Sequence, residues 1–307
     1  MPTSLTGKVA VVTGAGGGLG RAEALELARH GAKVVVNDFA PQDAPNPAQA
    51  VADEIVAAGG EATAHRGDIS QFAVGGELVG LAVDTYGSLD ILVNNAGLLR
   101  DRMLFSMTEA EWDIILAVHA KGTFNTSHHA AKYWRDKSKA QGGPVYARVV
   151  NTASEACLAG SPGQANYAAA KSAVIALTMS TANGCHRYGV RANVIAPRAL
   201  TKLTSHVFTA KDDLAEGELD PLAPEHVSPL VAFLAGPAAD HISGQLFVVH
   251  GGFVAVIERP TLQAKFDAKG DAFSTDELEE LLVPHFADKE LNEGFSAPDL
   301  LRLRRER

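Results

Sequence analysis

The chain has 307 residues, which allows one large domain or two small ones and a substantial core either way. Its 46% hydrophobic and 21% charged content is ordinary for a globular protein. A formal net charge of -9 argues against nucleic acid or an anionic membrane as the main partner.

Lys8 to Thr13 (KVAVVT) is a short apolar run rich in β-branched residues, as in a strand buried on both faces. TGAGGGLG follows from Thr13 to Gly20 and leads into RAEALELARHG, whose leucines and alanines keep helical spacing until Gly31. Lys33 to Asn37 reads as a second strand, closing at Asp38. Strand, glycine turn, helix and strand make a βαβ unit. Its glycines, Gly14, Gly18 and Gly20 with Leu19 between, let the backbone turn sharply and approach a pyrophosphate at the helix N-terminus. A carboxylate about 20 residues on can bind both ribose hydroxyls of an adenosine. Asp38 stands eighteen residues after Gly20, and its charge would repel a 2′-phosphate, so NAD is favoured over NADP. The competing reading is a structural glycine turn in a nucleotide-free α/β protein.

Residues 50 to 60 predict a helix, Glu61 to His65 a strand ending near Asp68 and Ile69, and 71 to 87 a helix. Leu89 to Val93 predicts a fourth strand, ending in Asn94-Asn95-Ala96-Gly97. A long helix over 109 to 136 precedes a strand from Val145 to Thr152. After the helix bearing Tyr167 come a strand over Val190 to Ala196 and a partly helical segment over Leu200 to Leu222. A helix near His226 to Ala235 and a strand over Gln245 to Val249 complete the pattern. Seven strands alternate with helices, which predicts one doubly wound parallel sheet over residues 1 to 253, a Rossmann-type α/β domain. In such sheets ligands lie outside the carboxyl ends of the strands, where Gly14, Asp38, Asp68, Asn95, Ser154 and Pro197 all fall.

Tyr167-Ala168-Ala169-Ala170-Lys171 is helix-favouring, and residues four apart share a helix face. The phenol and the ammonium would point the same way. A free tyrosine, with a pKa of roughly 10, is a poor base at neutral pH. A cation at ~4 Å in an effective dielectric of ~20 favours the phenolate by about 4 kcal/mol, enough to let it exchange a proton with an alcohol or ketone. The two cysteines, Cys157 and Cys185, make no disulfide framework. No secretory signal, membrane span or peroxisomal tripeptide is read in the sequence, so the cytoplasm is the expected location, and no metal is expected.

With these residues assembled, the chain resembles the short-chain dehydrogenase/reductase family over about residues 5 to 253. TGAGGGLG matches the family's TGxxxGxG, NNAG its strand-four motif, and Tyr167 with Lys171 its YxxxK. Ser154 lies thirteen residues before Tyr167, where the family carries its catalytic serine. VVVNDF, NNAGLLRDR, EWDIILAVHAKGTF and GQANYAAAK are most similar to the (3R)-hydroxyacyl-CoA dehydrogenase group, found in multifunctional enzyme type 2 and free-standing bacterial relatives. The resemblance implies NAD-linked oxidation of a 3-hydroxyacyl-CoA, including steroid-derived acyl groups, by a homodimer or homotetramer. It implies that Ser154 hydrogen-bonds the reacting oxygen, Tyr167 accepts the proton, and Lys171 holds the nicotinamide ribose. Asp68 and Ile69 would border the adenine, and Asn95, Ala96 and Gly97 the adenosine ribose. On the residues alone, Asp68 could instead cap a helix and Asn95 tie two strands together.

The chain departs from the family at two places. His119 replaces the asparagine that kinks the long helix, so it is read either as a residue of the catalytic set in a positional role or as a satisfied, non-catalytic histidine. Pro197-Arg198 replaces Pro-Gly, which leaves Arg198 to meet a phosphate or lie solvated, and Pro197 beside the nicotinamide. Met103, Leu104 and Phe105 would line an apolar tunnel with Arg100 or Arg102 near a CoA phosphate, or else be core residues beside surface charges. Residues 254 to 307 form an extension with helices expected over FSTDELEELLVPHF and near Leu300 to Arg305. It could contact a subunit, cover the acyl site or be partly disordered. Alternatives within the enzyme class are a dehydrogenase of free steroids and a 3-oxoacyl-carrier-protein reductase. A non-catalytic NAD-sensing scaffold is the alternative outside it.

Overall fold

The computed structural model describes residues 4–205, 219–290 and 294–296. β1 (Val9–Thr13) is buried along its whole length, as its unbroken apolar run requires. α1 (Gly18–Arg29), β2 (Lys33–Asp38), α2 (Pro47–Ala57), β3 (Glu61–Arg66), α3 (Phe72–Tyr86) and β4 (Ile91–Asn94) follow in the expected order. The long helix is continuous but not uniform. α4 (Glu109–Ile115) passes into a π-helical turn over Leu116–Lys121, and then into α5 (Gly122–Gln141). β5 (Ala147–Thr152), a short α6 (Ala156–Ala159), α7 (Ala165–Cys185), β6 (Val190–Pro197), α8 (Ser228–Ala235) and β7 (Leu246–His250) complete the alternation.

The strand order is β3-β2-β1-β4-β5-β6-β7, all parallel, with the order reversing between β1 and β4. That reversal opens the crevice in which doubly wound sheets hold ligands. An eighth strand, β8 (Phe253–Ile257), pairs antiparallel with β7. The sheet is therefore eight-stranded and mostly parallel rather than seven-stranded and parallel. FVAVI reads by period two, with alternate residues half-buried and exposed, as suits an edge strand. The first compact unit runs to Ile257.

Side chains leave each strand alternately toward two cores. Ala10 and Val12 of β1 pack with Leu27 of α1, Ile55 of α2 and Leu234 of α8. Val9 and Val11 pack with Leu78 of α3, Trp134 of α5 and Ala182 of α7. In the second layer a buried polar chain fastens strands to helices. Thr126 donates to Asn94 (2.6 Å), Asn94 to Asn151 (2.8 Å) and Asn151 to Thr178 (2.8 Å), linking α5, β4, β5 and α7.

In the second unit, Glu258 to Arg307, α9 (Thr275–Phe286) forms where the acidic first turn predicted it. The Ser274 hydroxyl accepts from the Glu277 amide as its cap. The helix expected near Leu300 lies outside the described residues. Among the described residues no helix is long and apolar enough to cross a membrane.

Trp134 is fully buried, and its indole N–H donates to the Leu89 carbonyl at 2.7 Å. Trp134→Phe is expected to cost about 2 kcal/mol or more, through a void and an unpaired carbonyl. The loss would be read as a lower urea midpoint at an unchanged slope.

Candidate active site

The carboxyl ends of β1, β2, β4, β5 and β6 open on one cleft of about 640 Å³. Gly14, Gly18, Leu19, Asp38, Asp68, Ile69, Asn95, Ala96, Gly97, His119, Tyr167, Lys171 and Pro197 all line it, although they are scattered over most of the sheet's sequence. Its floor at the β1–α1 turn is made by backbone. Gly14 has φ of +63°, and a Cβ there would stand 2.5 Å from the Ala96 Cα, so only glycine fits. Gly16 is held against Asp38, whose Oδ2 accepts from its amide at 2.7 Å while Oδ1 accepts from the Phe39 amide at 2.7 Å. Burial raises the Asp38 carboxyl above its ordinary range, and these two backbone donors pull it back. Each oxygen keeps a lone pair for ribose hydroxyls. An open glycine turn at a helix N-terminus, with a carboxylate beyond it, fits an adenine dinucleotide.

Phe39, 61% exposed at the rim beside Asp38, was not anticipated. Its signal was an apolar aromatic immediately after a strand-ending carboxylate. Asn95 combines both readings made of it: its amide donates to the Thr13 and Gly14 carbonyls, tying β4 to β1, and it also faces the cleft. Asp68 likewise accepts from the Ser70 amide at 2.9 Å while lining the cleft. Gly20 does not line it. A Cβ there would meet the Gly14 oxygen at 2.4 Å, so this glycine serves the close packing of α1 on the strand ends.

At the inner end, one turn of α7 presents Tyr167 and Lys171 together, as their spacing requires. The Lys171 nitrogen lies 5.5 Å from the centroid of the phenol ring and donates to the Thr152 carbonyl at 2.5 Å. Ser154 is not itself in the cleft lining; its hydroxyl accepts from the Ala156 amide at 3.2 Å, and its side chain acts to lower the Tyr167 phenol. The expected lowering of that phenol by the lysine is not present. Burial pushes Tyr167 up to about 12 against the effect of Ser154, and pushes Lys171 down to about 7. A desolvated, only partly charged lysine has little field to spend on its neighbour.

His119 sits in the π-helical turn, 2% exposed. Its Nε2 lies 2.8 Å from the Leu98 carbonyl and 3.2 Å from the Leu98 amide, and its ring meets Tyr167 edge-on at 5.1 Å between centroids. Gly97 packs on the ring, where a Cβ would stand 2.4 Å from Cε1. The family's kink is made here by a π turn around a histidine.

Arg198 neither lies solvated nor points at a phosphate; it pairs with Glu155, both little exposed, tying the end of β6 to the residue after Ser154. Met103, Leu104 and Phe105 are exposed and lie outside the lining of this cleft among the described residues, while Arg102 pairs with Glu111. Of the segment from Leu200, Thr201 to Thr204 line the cleft, and residues 206–218 lie outside the described residues.

Burial first, then the Lys171 charge, pushes His119 down to about 3, against the Leu98 hydrogen bond. The unfolded chain binds a proton below about 6.5 and the folded protein does not, so this residue costs stability progressively as pH falls from there toward 3. The His119 ring signals are expected to stay unshifted in an NMR titration from about pH 8 to 5. His119→Asn is expected to flatten the acid-side loss of stability in melts across the same range.

The model of the family described as short chain dehydrogenase matches residues 8–212. The chain is 52% identical over 302 residues to the hydroxyacyl-CoA dehydrogenase ChsB1 of Mycobacterium tuberculosis, covering 98% of this chain and 95% of that one. It is 38% identical to mouse peroxisomal multifunctional enzyme type 2 over 82% of this chain, which spans 33% of that longer protein. The crystal structure of a short chain dehydrogenase from Mycobacterium avium superposes with a TM-score of 0.83 at 44% identity, covering 92% of this chain and 96% of that one. With its glycine turn, its Asn95 tie and its Tyr167 and Lys171 in one cleft, the chain belongs to the short-chain dehydrogenase/reductase family.

Proposed function

We propose that the protein is an NAD-dependent dehydrogenase interconverting a (3R)-hydroxyacyl-CoA, steroid-derived acyl groups included, and the 3-oxoacyl-CoA. The observation that carries this reading is a single cleft with Asp38 at one end and the phenol of Tyr167 beside Lys171 at the other. Identity over nearly the full length to a hydroxyacyl-CoA dehydrogenase supports the substrate class.

In the oxidative direction, the substrate hydroxyl lies against Ser154 and Tyr167. Ser154 donates a hydrogen bond to the reacting oxygen and fixes its position. Tyr167, as phenolate, accepts the hydroxyl proton while the carbinol carbon gives up its hydride, leaving a ketone. The oxidised nicotinamide, when bound, supplies the hydride-accepting carbon and a positive charge. Lys171 adds its own charge and holds the ribose. Because burial keeps the phenol near 12, the base forms only where positive charge gathers around it. In the reductive direction the same phenol donates the proton. His119, neutral and fixed to Leu98, shapes the wall beside the phenol and keeps its single ring proton through the reaction. A homodimer or homotetramer in the cytoplasm is part of the same proposal.

Reduced-cofactor absorbance during incubation with 3-hydroxyacyl-CoA thioesters, steroid-CoA thioesters and free hydroxysteroids tests the reading. Turnover confined to free hydroxysteroids would refute it. Tyr167→Phe is expected to lower kcat by about 10²–10⁴-fold with the fold intact by circular dichroism. kcat/KM is expected to favour NAD over NADP by about 10²-fold, since Asp38 faces a 2′-phosphate with like charge.

A further inference from the structure

At the carboxyl end of β5 the chain turns away from the sheet and carries Ser154 with it. Just before the turn, the Ala153 amide donates to the Ile195 carbonyl of β6 at 2.7 Å. Ser154 then opens a tight turn. Its hydroxyl accepts from the Ala156 amide at 3.2 Å, and its carbonyl accepts from the Cys157 thiol at 2.9 Å. The helix into which this turn leads, α6, has only four residues and is too short to hold itself in place. Its anchor comes from across the strand ends. Arg198 Nη2 donates to Glu155 Oε1 at 2.7 Å while Nε donates to Oε2, a two-pronged bond between side chains that are 12% and 11% exposed. The arginine is fixed at its own base, because its amide donates to the Val249 carbonyl of β7 at 3.0 Å. Ser154 thus lies between two fastenings, a main-chain bond on one side and a buried ion pair on the other. Apolar side chains of similar volume often stabilise a fold as well as a buried pair does, whereas two parallel bonds also fix an orientation.

We propose that Arg198 and Glu155 are positioning residues for Ser154, acting through the turn that Glu155 shares with it, and so set where the reacting oxygen of the substrate is held. The inference rests on the role given above to Ser154. Pro197, the residue before Arg198, lines the cleft, so the pair ties the serine's turn to the cleft wall. Ser154 and Tyr167 must meet one oxygen between them, and a small shift of the turn misaligns the two.

The test compares the wild type with Glu155→Leu/Arg198→Met, in which apolar side chains replace the pair, and with Glu155→Gln, which keeps the size of one partner. The double variant is expected to melt close to the wild type. In NAD-linked oxidation of a 3-hydroxyacyl-CoA, its kcat is expected to fall by about 10–10²-fold while KM for either substrate stays within about threefold. Glu155→Gln moves kcat in the same direction and carries the test where the double variant does not fold. An unchanged kcat in a folded variant would make the pair a structural staple and overturn the proposal, as would a loss confined to KM. A second readout needs no turnover. With Cys185→Ser as background, the rate at which a thiol reagent labels Cys157 reports the bond from its thiol to the Ser154 carbonyl. Labelling is expected to speed up by about five- to tenfold in both pair variants. An unchanged rate means that the turn holds without the pair, which overturns the proposal even where no 3-hydroxyacyl-CoA is turned over. A faster rate with no wild-type turnover upholds the anchoring and refutes the acyl-CoA reading instead.

Discussion

The site depends on a lysine side chain that reaches through the protein interior to a single carbonyl. Lys171 is 3% exposed, and its nitrogen is held by Thr152 at the last position of β5. That bond fixes α7 against the strand end and so places Tyr167, one turn earlier, at the inner end of the cleft. Beneath it, the chain from Thr126 through Asn94 and Asn151 to Thr178 locks the same helix to the same strands. Each member of this chain is buried and bonded, so a shift of α7 would leave several polar groups unpaired at once. A satisfied buried network of this kind supplies the rigidity that hydride transfer needs, because the reacting atoms tolerate little misplacement.

The long helix meets a different constraint. It must pass the Tyr167 phenol closely enough to wall the cleft. At Leu116–Lys121 it does so by opening into a π turn, a form that recurs at functional sites. The imidazole placed there packs between Gly97 and Tyr167 and takes its hydrogen bond from Leu98, the residue after the NNAG run. Local helix geometry and the strand-four motif are therefore one feature, seen from its two sides. The Arg198–Glu155 pair does comparable work across the cleft, bridging β6 to the residue that follows Ser154.

Two ends of the cleft are built by different physics. At the adenosine end the chain offers backbone amides, small residues and a half-buried carboxylate, all of them accessible to a ligand. At the inner end desolvation dominates: the half-buried phenol rises and the buried lysine falls. Such opposed displacements in one place mark a site at which proton affinity has been set by environment.

The sequence alone determined the order of strands and helices, the glycine turn, the Asp38 position and the joint projection of Tyr167 and Lys171. These follow from period and spacing within short stretches, where backbone stereochemistry decides. It did not determine β8, whose pairing depends on β7 being free at the sheet edge. It did not determine the partners of Arg198, since Glu155 lies 43 residues away along the chain. Nor did it determine the charge states at the inner end. The four-residue spacing of Tyr167 and Lys171 fixed a direction, and Coulomb's law then suggested a lowered phenol. The sign of the result came instead from how far the fold takes each group out of water, Lys171 almost wholly and Tyr167 in part, a quantity that only the assembled layers set.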